Sequence, residues 1–330
     1  MADMKTNNKT KILTPFVVLA LVLCCFLPGC TDSYMLRVLN VTMITYLCVL
    51  SVYVLLGMCG QNSFAQAGLW GVGSYITANM TMKLGINPTL SLLIAVVGTA
   101  LIAFLLGFAF FRLRMYYFTF ATIGLMTILN GLFMNWEPVT GGALGFKDIR
   151  PFSIFGFTAS SETSKFFLIF ILVIVTSFLI SFLKRSSLGR SFMAIRDNEM
   201  AANCMGINSL LTKSIAFAIS GALCGLAGAL YAYLSSYLSH QSFTYTQSTM
   251  YLIMIMLGGT SSWVGAIIGT LIISLLQEWV RPLQNYMQLI YGLGIMIMMI
   301  FQPEGILGGG KAVYERIIEK RKARAEATGC

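Results

Sequence analysis

KRSSLGRSFMAIRDNEMAANCMGIN, residues 184–208, is a polar and basic stretch that separates two long apolar runs. Its apolar residues are spaced so that a short helix turns them, as an irregular stripe, toward one side. These residues are Phe192, Ile195, Met200 and Met205. Charged residues such as Arg196 and Glu199 are expected to face elsewhere, and Gly206 with Asn208 to end the helix. The stretch is therefore predicted to be a folded loop with one apolar face that needs a partner.

The composition around this loop is that of an integral membrane protein. Of the 330 residues, 57% are hydrophobic and only 10% are charged, against roughly 25% charged in an average soluble domain. The net charge of +10 comes from short basic clusters beside apolar runs, which orient membrane helices and do not indicate nucleic-acid binding. We expect one transmembrane domain, residues 1–310, and a basic cytoplasmic tail, residues 311–330.

Ten apolar runs predict an all-α, polytopic fold of about ten transmembrane helices. Ten crossings place 16 of the 22 Lys and Arg residues on one side of the membrane, so both termini and the loop 184–208 are expected in the cytoplasm. The eighth run is short: either flanking residues extend it or it dips into the membrane and returns. The runs are 15–27, 36–56, 63–82, 90–111, 116–134, 166–183, 214–238, 250–257, 264–280 and 289–301.

Two sequence features suggest chemistry but fail on inspection. Residues 305–312, GILGGGKA, match the first part of a phosphate-binding loop, but Ala312 lacks the hydroxyl that holds magnesium, and only 18 residues follow it. The eight cysteines include no paired CxxC spacing, so neither a zinc site nor a disulfide framework is expected. The sequence predicts no metal, no cofactor and no enzymatic activity for this chain.

Glycines recur at three- to four-residue spacing in three of the predicted helices, which predicts close helix packing or helices that slide along a path. Helix interiors contain no acidic residue or histidine, which argues against proton coupling but leaves a sodium-coupled carrier open. Uncharged polar groups remain, and they either bond neighbouring helices or line a path for a small polar solute. These groups are Gln61, Asn62, Ser63, Gln66 and Asn130.

An outer loop carries Thr140, Gly141 and Gly142. The two glycines predict a tight turn. The alternative is a docking point for a protein that delivers the solute.

Four regions together resemble the permease subunits of bacterial ABC importers for branched-chain amino acids, in particular the longer of the two paired permeases. Residues 60–75 are similar to the family pattern G-x-x-S-x-x-[HQ]-x-x-x-x-G-x-G-x-Y. The other three regions are 112–120 followed by Thr140-Gly141-Gly142, then 189–208, then 303–308. The resemblance covers the chain from about residue 40 to the end of the last apolar run.

The loop 184–208 also resembles the importer motif E-A-A-x-x-x-G. Ala201, Ala202 and Gly206 hold the motif spacing, whereas Met200 occupies the glutamate position and Glu199 lies one residue earlier. The resemblance implies that this loop couples the chain to ATPase subunits. The residues expected to couple are Arg190, Ala194, Arg196, Asp197, Glu199, Ala201, Ala202 and Gly206.

The resemblance further implies a complex in the bacterial plasma (inner) membrane. Its expected partners are a second, distinct permease subunit, two ABC ATPase subunits and a solute-binding protein. Branched-chain amino acids are the expected solute, with urea or short amides as the alternative inside the family. An ion-coupled secondary carrier is the alternative outside it.

Overall fold

The computed structural model describes residues 32–113, 115–147, 149, 152–154, 157–158, 161–279, 292 and 296. Within these residues the fold is all-α, as predicted, and the strands are two-residue pairs. The helices are α1 Ser33–Val52, α2 Gln66–Met82, α3 Pro88–Phe110, α4 Met115–Asn135, α5 Glu137–Thr140, α6 Glu162–Arg185, α7 Ser187–Asp197, α8 Glu199–Cys204, α9 Ser209–Ser235, α10 Tyr245–Gly258 and α11 Trp263–Trp279. The strands are β1 Phe146–Lys147, β2 Ser153–Ile154, β3 Phe157–Thr158 and β4 Tyr237–Leu238.

Five helical stretches in the described part are long and apolar enough to cross a membrane: α1 with the π-helical turn that follows it, α3, α4, α6 and α9. A sixth span results if the bent pair of α10 and α11 counts as one. The first predicted run, 15–27, lies outside the described residues, as do nearly all of the tenth, 289–301, and the basic tail. The number of ten crossings therefore stays a prediction.

Helix α9 forms the centre of the bundle and packs against α1, α2 and α3. Its glycines allow the backbones to approach closely, because a Cβ added at Gly73 of α2 would lie 2.6 Å from the Cα of Gly225. A Cβ at Gly221 would likewise lie 2.4 Å from the Cβ of Ala103 on α3. Close packing therefore accounts for these small residues.

The helical chain is interrupted at two places, which we call the first break, between α1 and α2, and the second break, between α10 and α11. The π-helical turn Tyr53–Met58 continues α1, and non-helical residues then lead to α2. The second break separates α10 from α11, where the helix axis turns by 117°. Helix α10 has 14 residues, or about 21 Å, against about 30 Å of hydrocarbon. Flanking residues thus extend the eighth apolar run, 250–257, but not to the length of a straight crossing, and the alternative in which the run dips into the membrane and returns stays a prediction.

The loop 184–208 forms two helices, α7 and α8, and not the single helix that the sequence predicts. Asn198 divides them with an extended backbone and a side chain that accepts a hydrogen bond from the N–H of Ala201. Residues 186–208, hereafter the connecting segment, lie at the end of the bundle where α6 ends and α9 begins. The opposite end holds the loop after α2, where Lys83 donates a hydrogen bond to the carbonyl of Pro138.

Candidate functional site

Local capping explains why the connecting segment is folded. The Ser186 hydroxyl accepts from the N–H of Gly189 at the start of α7. At the end of α8, Gly206 adopts φ +83°, and Ile207 donates its N–H to the carbonyl of Ala202. These features form a glycine C-cap, in which a left-handed residue stops the helix. Asn208 does not belong to this stop, because its side chain caps α9 by accepting from the N–H of Leu211.

The predicted apolar stripe splits into two faces. Phe192 and Ile195 are buried in the bundle core, so α7 packs inward. Met200 and Met205 are 80% and 84% exposed, so α8 and the residue that ends it present large apolar side chains outward. The sequence predicts one face, and the break at Asn198 is what turns the two pairs in different directions.

The predicted coupling residues divide in the same way. Arg190, Arg196, Asp197, Glu199, Ala201 and Gly206 are exposed, Ala194 is half-buried, and Ala202 is buried. The outward surface around Met200 and Met205 therefore includes Ala201 and Gly206 but not Ala202. Ala202 instead packs toward the core.

Three polar contacts tie the connecting segment and its flanks to the transmembrane helices. Arg196 donates from Nη1 to the carbonyl oxygen of Gly57 at 2.8 Å, next to the first helix break. Lys184 donates from Nζ to the carbonyl oxygen of Ser261 at 2.8 Å, in the second break. Lys213 on α9 forms an ion pair of 2.6 Å with Glu199 on α8. A displacement of the segment therefore acts directly on the first break and on α9, and it acts on the second break through the end of α6.

The sequence alone does not indicate Gly57, Ser261 and Lys213 as partners of these residues. Lys213 carries a signal that could have found it, because it is a lone cation in the first turn of an otherwise apolar helix and such a group needs a counter-charge when buried. The two carbonyl groups carry no signal, since every residue has one.

The Cys59 thiol, close to the ion pair between Lys213 and Glu199, stays neutral in the folded chain. Burial raises the pKa of the Cys59 thiol from 9.0 to about 12. The nearby Lys213 ammonium lowers that pKa and the Glu199 carboxylate raises it, but both effects are smaller than that of burial. Cys59 is therefore a neutral packing group under the first break.

The predicted path residues do not share one surface. Gln61, Ser63 and Gln66 are buried, and Asn62 is exposed. Asn130 donates from Nδ2 to the carbonyl oxygens of His240, at 3.1 Å, and Phe243, at 2.6 Å, so its amide holds the chain that precedes α10.

Gln66 is different from Asn130. It is the first residue of α2, is fully buried, and neither its Oε1 nor its Nε2 has a hydrogen-bond partner among the described residues.

The first turns of α2 and α10 meet beside the middle of α4. The rings of Phe64 and Tyr245 are 5.4 Å apart, and the N–H of Ala67 donates to the Ser248 hydroxyl at 3.0 Å. The same hydroxyl lies 3.8 Å from the Met126 sulfur of α4. Two helices thus begin next to each other inside the bundle.

The predicted outer turn is a turn. Thr140 donates from Oγ1 to the carbonyl oxygen of Phe133 at 2.8 Å, and Gly141 and Gly142 have φ of +74° and +59°. A Cβ at Gly141 would lie 2.5 Å from the carbonyl oxygen of Gly145. Glycine is therefore required here for conformation and for space.

Comparisons with known proteins agree with this fold. The family described as branched-chain amino acid transport system, permease component, matches residues 34–301. The high-affinity branched-chain amino acid transport system permease protein LivM of Escherichia coli K12 is 30% identical over 315 residues, which cover 88% of this chain and 74% of LivM. LivM of Salmonella typhimurium LT2 gives the same values.

A second group of relatives carries a different name. The autoinducer 2 import system permease protein LsrC of Escherichia coli O9:H4 is 24% identical over 325 residues, which cover 92% of this chain and 90% of LsrC. No solved structure matches the chain significantly.

Proposed function

The chain belongs to the family of branched-chain amino acid transport permeases, and from this premise we propose that it forms one half of the solute path of an ABC importer. Separate ATPase subunits dock on the connecting segment and drive transport. One observation carries this proposal: the connecting segment exposes Met200 and Met205 and is bonded to the first break through Arg196, while Lys184, two residues before the segment, bonds to the second break.

The exposed methionines favour a protein partner. Met200 lies on α8 and Met205 directly follows it, beside exposed Ala201 and Cys204. Methionine side chains are flexible and polarizable, and they adapt to irregular apolar grooves. A groove on an ATPase subunit that accepts both side chains would fix α8 at two points.

The contacts behind α8 support transmission of force. A pull on the segment is passed by the guanidinium of Arg196 to the end of α1 and by the Glu199 carboxylate to α9. Lys184, at the end of α6, connects to the break between α10 and α11. Helix ends and the short connections between helices are where hinge motions take place, so we propose that ATPase closure changes the angles at these breaks.

We propose branched-chain amino acids as the solute, because LivM carries that name. The name of LsrC concerns autoinducer 2, so the named solute differs among the relatives. Urea or a short amide is the alternative solute that we propose. The other partners are a second, distinct permease subunit and a solute-binding protein. The binding protein docks at the opposite end of the bundle, around Thr140, Gly141 and Gly142.

Docking of the ATPase subunits on the connecting segment implies an orientation of the chain in the membrane. The connecting segment, both termini and the basic tail 311–330 lie in the cytoplasm of a bacterial cell, and the transmembrane domain is residues 1–310. The chain itself breaks no bond, since hydrolysis takes place in the ATPase subunits.

Reconstitution tests the proposal. The chain and a second permease are placed in proteoliposomes with or without the ATPase subunits, and uptake of radiolabelled leucine, urea and acetamide is measured with the binding protein present. We expect leucine uptake only with ATPase subunits and ATP, and no change when ionophores dissipate sodium and proton gradients. Uptake that follows an ion gradient without ATPase subunits would make the chain a secondary carrier.

A further inference from the structure

The chain that precedes α10 runs at membrane depth. Asn130 stands five residues before the end of α4, about 8 Å inside that spanning helix, and its amide bonds to His240 and Phe243. Ser248 contacts Met126 near the middle of α4. Residues 240–248 therefore pass alongside the central part of a helix that crosses the membrane.

Part of this stretch is not α-helical. His240–Ser242 forms a single 3₁₀ turn, and Thr244 is extended before α10 begins, without a side-chain hydrogen bond that caps the helix. Backbone of this kind is not found in contact with lipid, because its polar groups have no partners there. It occurs at membrane depth only when protein buries it or when it lines water.

Protein within this chain buries only part of the stretch. Phe243 is fully buried among aromatic rings, but Gln241 and Thr246 are exposed, and Tyr245 is 44% exposed. Asn62 and Thr127 are exposed nearby. We call the exposed residues Asn62, Thr127, Gln241, Tyr245 and Thr246 the polar strip.

A ring contact and a hydrogen bond bring Asn62, in the first break, close to Tyr245 and to α4. Phe64 follows Asn62 by two residues, and its ring lies against Tyr245. The Thr119 hydroxyl of α4 donates to the carbonyl oxygen of Asn62 at 3.3 Å, which brings residue 62 to the face of α4. Thr127 stands near the centre of α4. The strip therefore joins α4, the first break and the start of α10.

Other faces of the chain are different. Every exposed residue of α3, and every exposed residue of α6 between positions 166 and 183, is apolar. Those faces suit contact with lipid, whereas the exposed side-chain amides of Asn62 and Gln241 do not. The contrast separates a lipid-facing side from a side that needs water or a polar partner.

We propose that the polar strip lines the water-filled path, with Gln241 and Thr246 in contact with the passing solute. This inference rests on the proposed function and moves the path from the buried Gln61, Ser63 and Gln66 and the half-buried Asn130 to exposed residues of α4, of the first break and of the chain around the start of α10. The strip has no charged side chain, so it accepts a small polar or zwitterionic solute by hydrogen bonds from hydroxyl and amide groups. The second permease subunit stands across the path.

Cysteine labelling tests this inference in the assembled importer. The native cysteines are replaced by serine, and single cysteines are introduced as Thr246→Cys and Gln241→Cys. Val97→Cys and Val175→Cys are matched controls, because they are 66% and 47% exposed near the middle of α3 and α6. A membrane-impermeant cationic methanethiosulfonate reacts with the thiolate, which forms in water and not in hydrocarbon.

We expect both strip cysteines to react at least about tenfold faster than the two controls, since an apolar environment keeps a thiol protonated. Complete modification of Thr246→Cys should also abolish ATP-driven uptake, while modification of Val97→Cys leaves it unchanged. Strip cysteines that react no faster than Val97→Cys, or full modification without loss of uptake, would overturn the inference.

Two further measurements keep the test decisive. ATP-driven uptake by the unmodified complex is measured first, so failure of the importer function is seen separately from failure of the labelling prediction. If the cysteine-free chain does not assemble, the same substitutions are made in the natural background. Mass spectrometry of the labelled peptides then gives the rate at each position.

Discussion

The Nη1 of Arg196 lies 2.8 Å from the carbonyl oxygen of Gly57 and donates a hydrogen bond to it. Gly57 is in the last turn of the π-helical stretch, where carbonyl groups lose their partners within the helix. Arg196 therefore supplies a donor that the broken helix lacks. The contact joins the outward-facing connecting segment to the first break.

Replacing Arg196 by methionine should weaken coupling. The substitution removes a charge-assisted bond while it keeps much of the apolar stem, and we expect a loss of about 1 kcal/mol in stability because the side chain is 40% exposed. ATP hydrolysis should continue, while solute uptake per ATP hydrolysed falls. Both rates are measured on the same proteoliposomes.

Arg190→Met is the matched control for this prediction. Arg190 is exposed on the same helix, and among the described residues its Nη1 bonds only to the nearby carbonyl oxygen of Arg185. We expect uptake per ATP to stay near the natural value. An equal loss of uptake per ATP in both variants would show that coupling depends on the positive charge of α7 and not on the contact between Arg196 and Gly57.

The two partners of the ion pair between Lys213 and Glu199 should respond unequally. The Lys213 side chain is 9% exposed and that of Glu199 is 45% exposed. Glu199→Gln leaves a buried ammonium without its counter-charge, so we expect a loss of about 2 kcal/mol, below the figure for a wholly buried pair. Lys213→Met leaves an exposed carboxylate that water solvates, and should cost less.

Thermal unfolding of the purified chain in detergent measures this difference. The order of the two melting temperatures is the readout, with Glu199→Gln below Lys213→Met. The reverse order would mean that Lys213 acts mainly through contacts other than this carboxylate.

Gly206→Ala should damage the docking surface through its backbone. An alanine at φ +83° costs about 1 kcal/mol, and a Cβ there meets no other atom within 4 Å. The strain should unwind the end of α8 and lower ATP-driven uptake. Gly85→Ala is the matched control, because Gly85 has φ +62° and equally open surroundings but lies at the opposite end of the bundle.

Comparable loss of uptake in the two glycine variants would assign the effect to stability alone. We expect instead similar shifts in melting temperature and a loss of uptake in Gly206→Ala only.

Thiol reactivity should reflect burial near the first break. Because burial raises the pKa of Cys59 to about 12, its thiol stays protonated in the folded chain through about pH 10, and maleimide should not label it. Exposed Cys204 should be labelled at neutral pH. The unfolded chain loses the Cys59 proton near pH 9, so rising pH between about 9 and 12 favours unfolding, whereas below pH 9 this group has no effect. Rapid labelling of Cys59 at pH 8 would contradict the packing.

Much of the fold can be predicted from the sequence, because the length of an apolar run indicates whether it forms a membrane-spanning helix. The run 166–183 lies inside α6, and Gly206 stops α8 as its position after an apolar helix predicts. The turn at Thr140 is equally local. These features depend on neighbouring residues alone, which is why they are predictable.

The path could not be predicted in the same way. Gln66 and Asn62 are both polar and lie four residues apart, yet one is buried and the other exposed, and only the packing of α2 decides this. Residues 240–244 have the polarity of an outer loop, but hydrogen bonds from Asn130 to His240 and Phe243 hold them beside α4, at membrane depth. Such contacts join residues more than 100 positions apart, and no local pattern reports them.

The most direct test of the central claim is photo-crosslinking from the connecting segment in the assembled importer. A photoreactive amino acid is placed at Met205, and in a control at Leu84, which is 64% exposed at the opposite end of the bundle. We predict crosslinks from Met205 to an ATPase subunit and none from Leu84 to that subunit. Crosslinks to an ATPase subunit from Leu84, or none from Met205 in a complex that transports solute, would contradict the account.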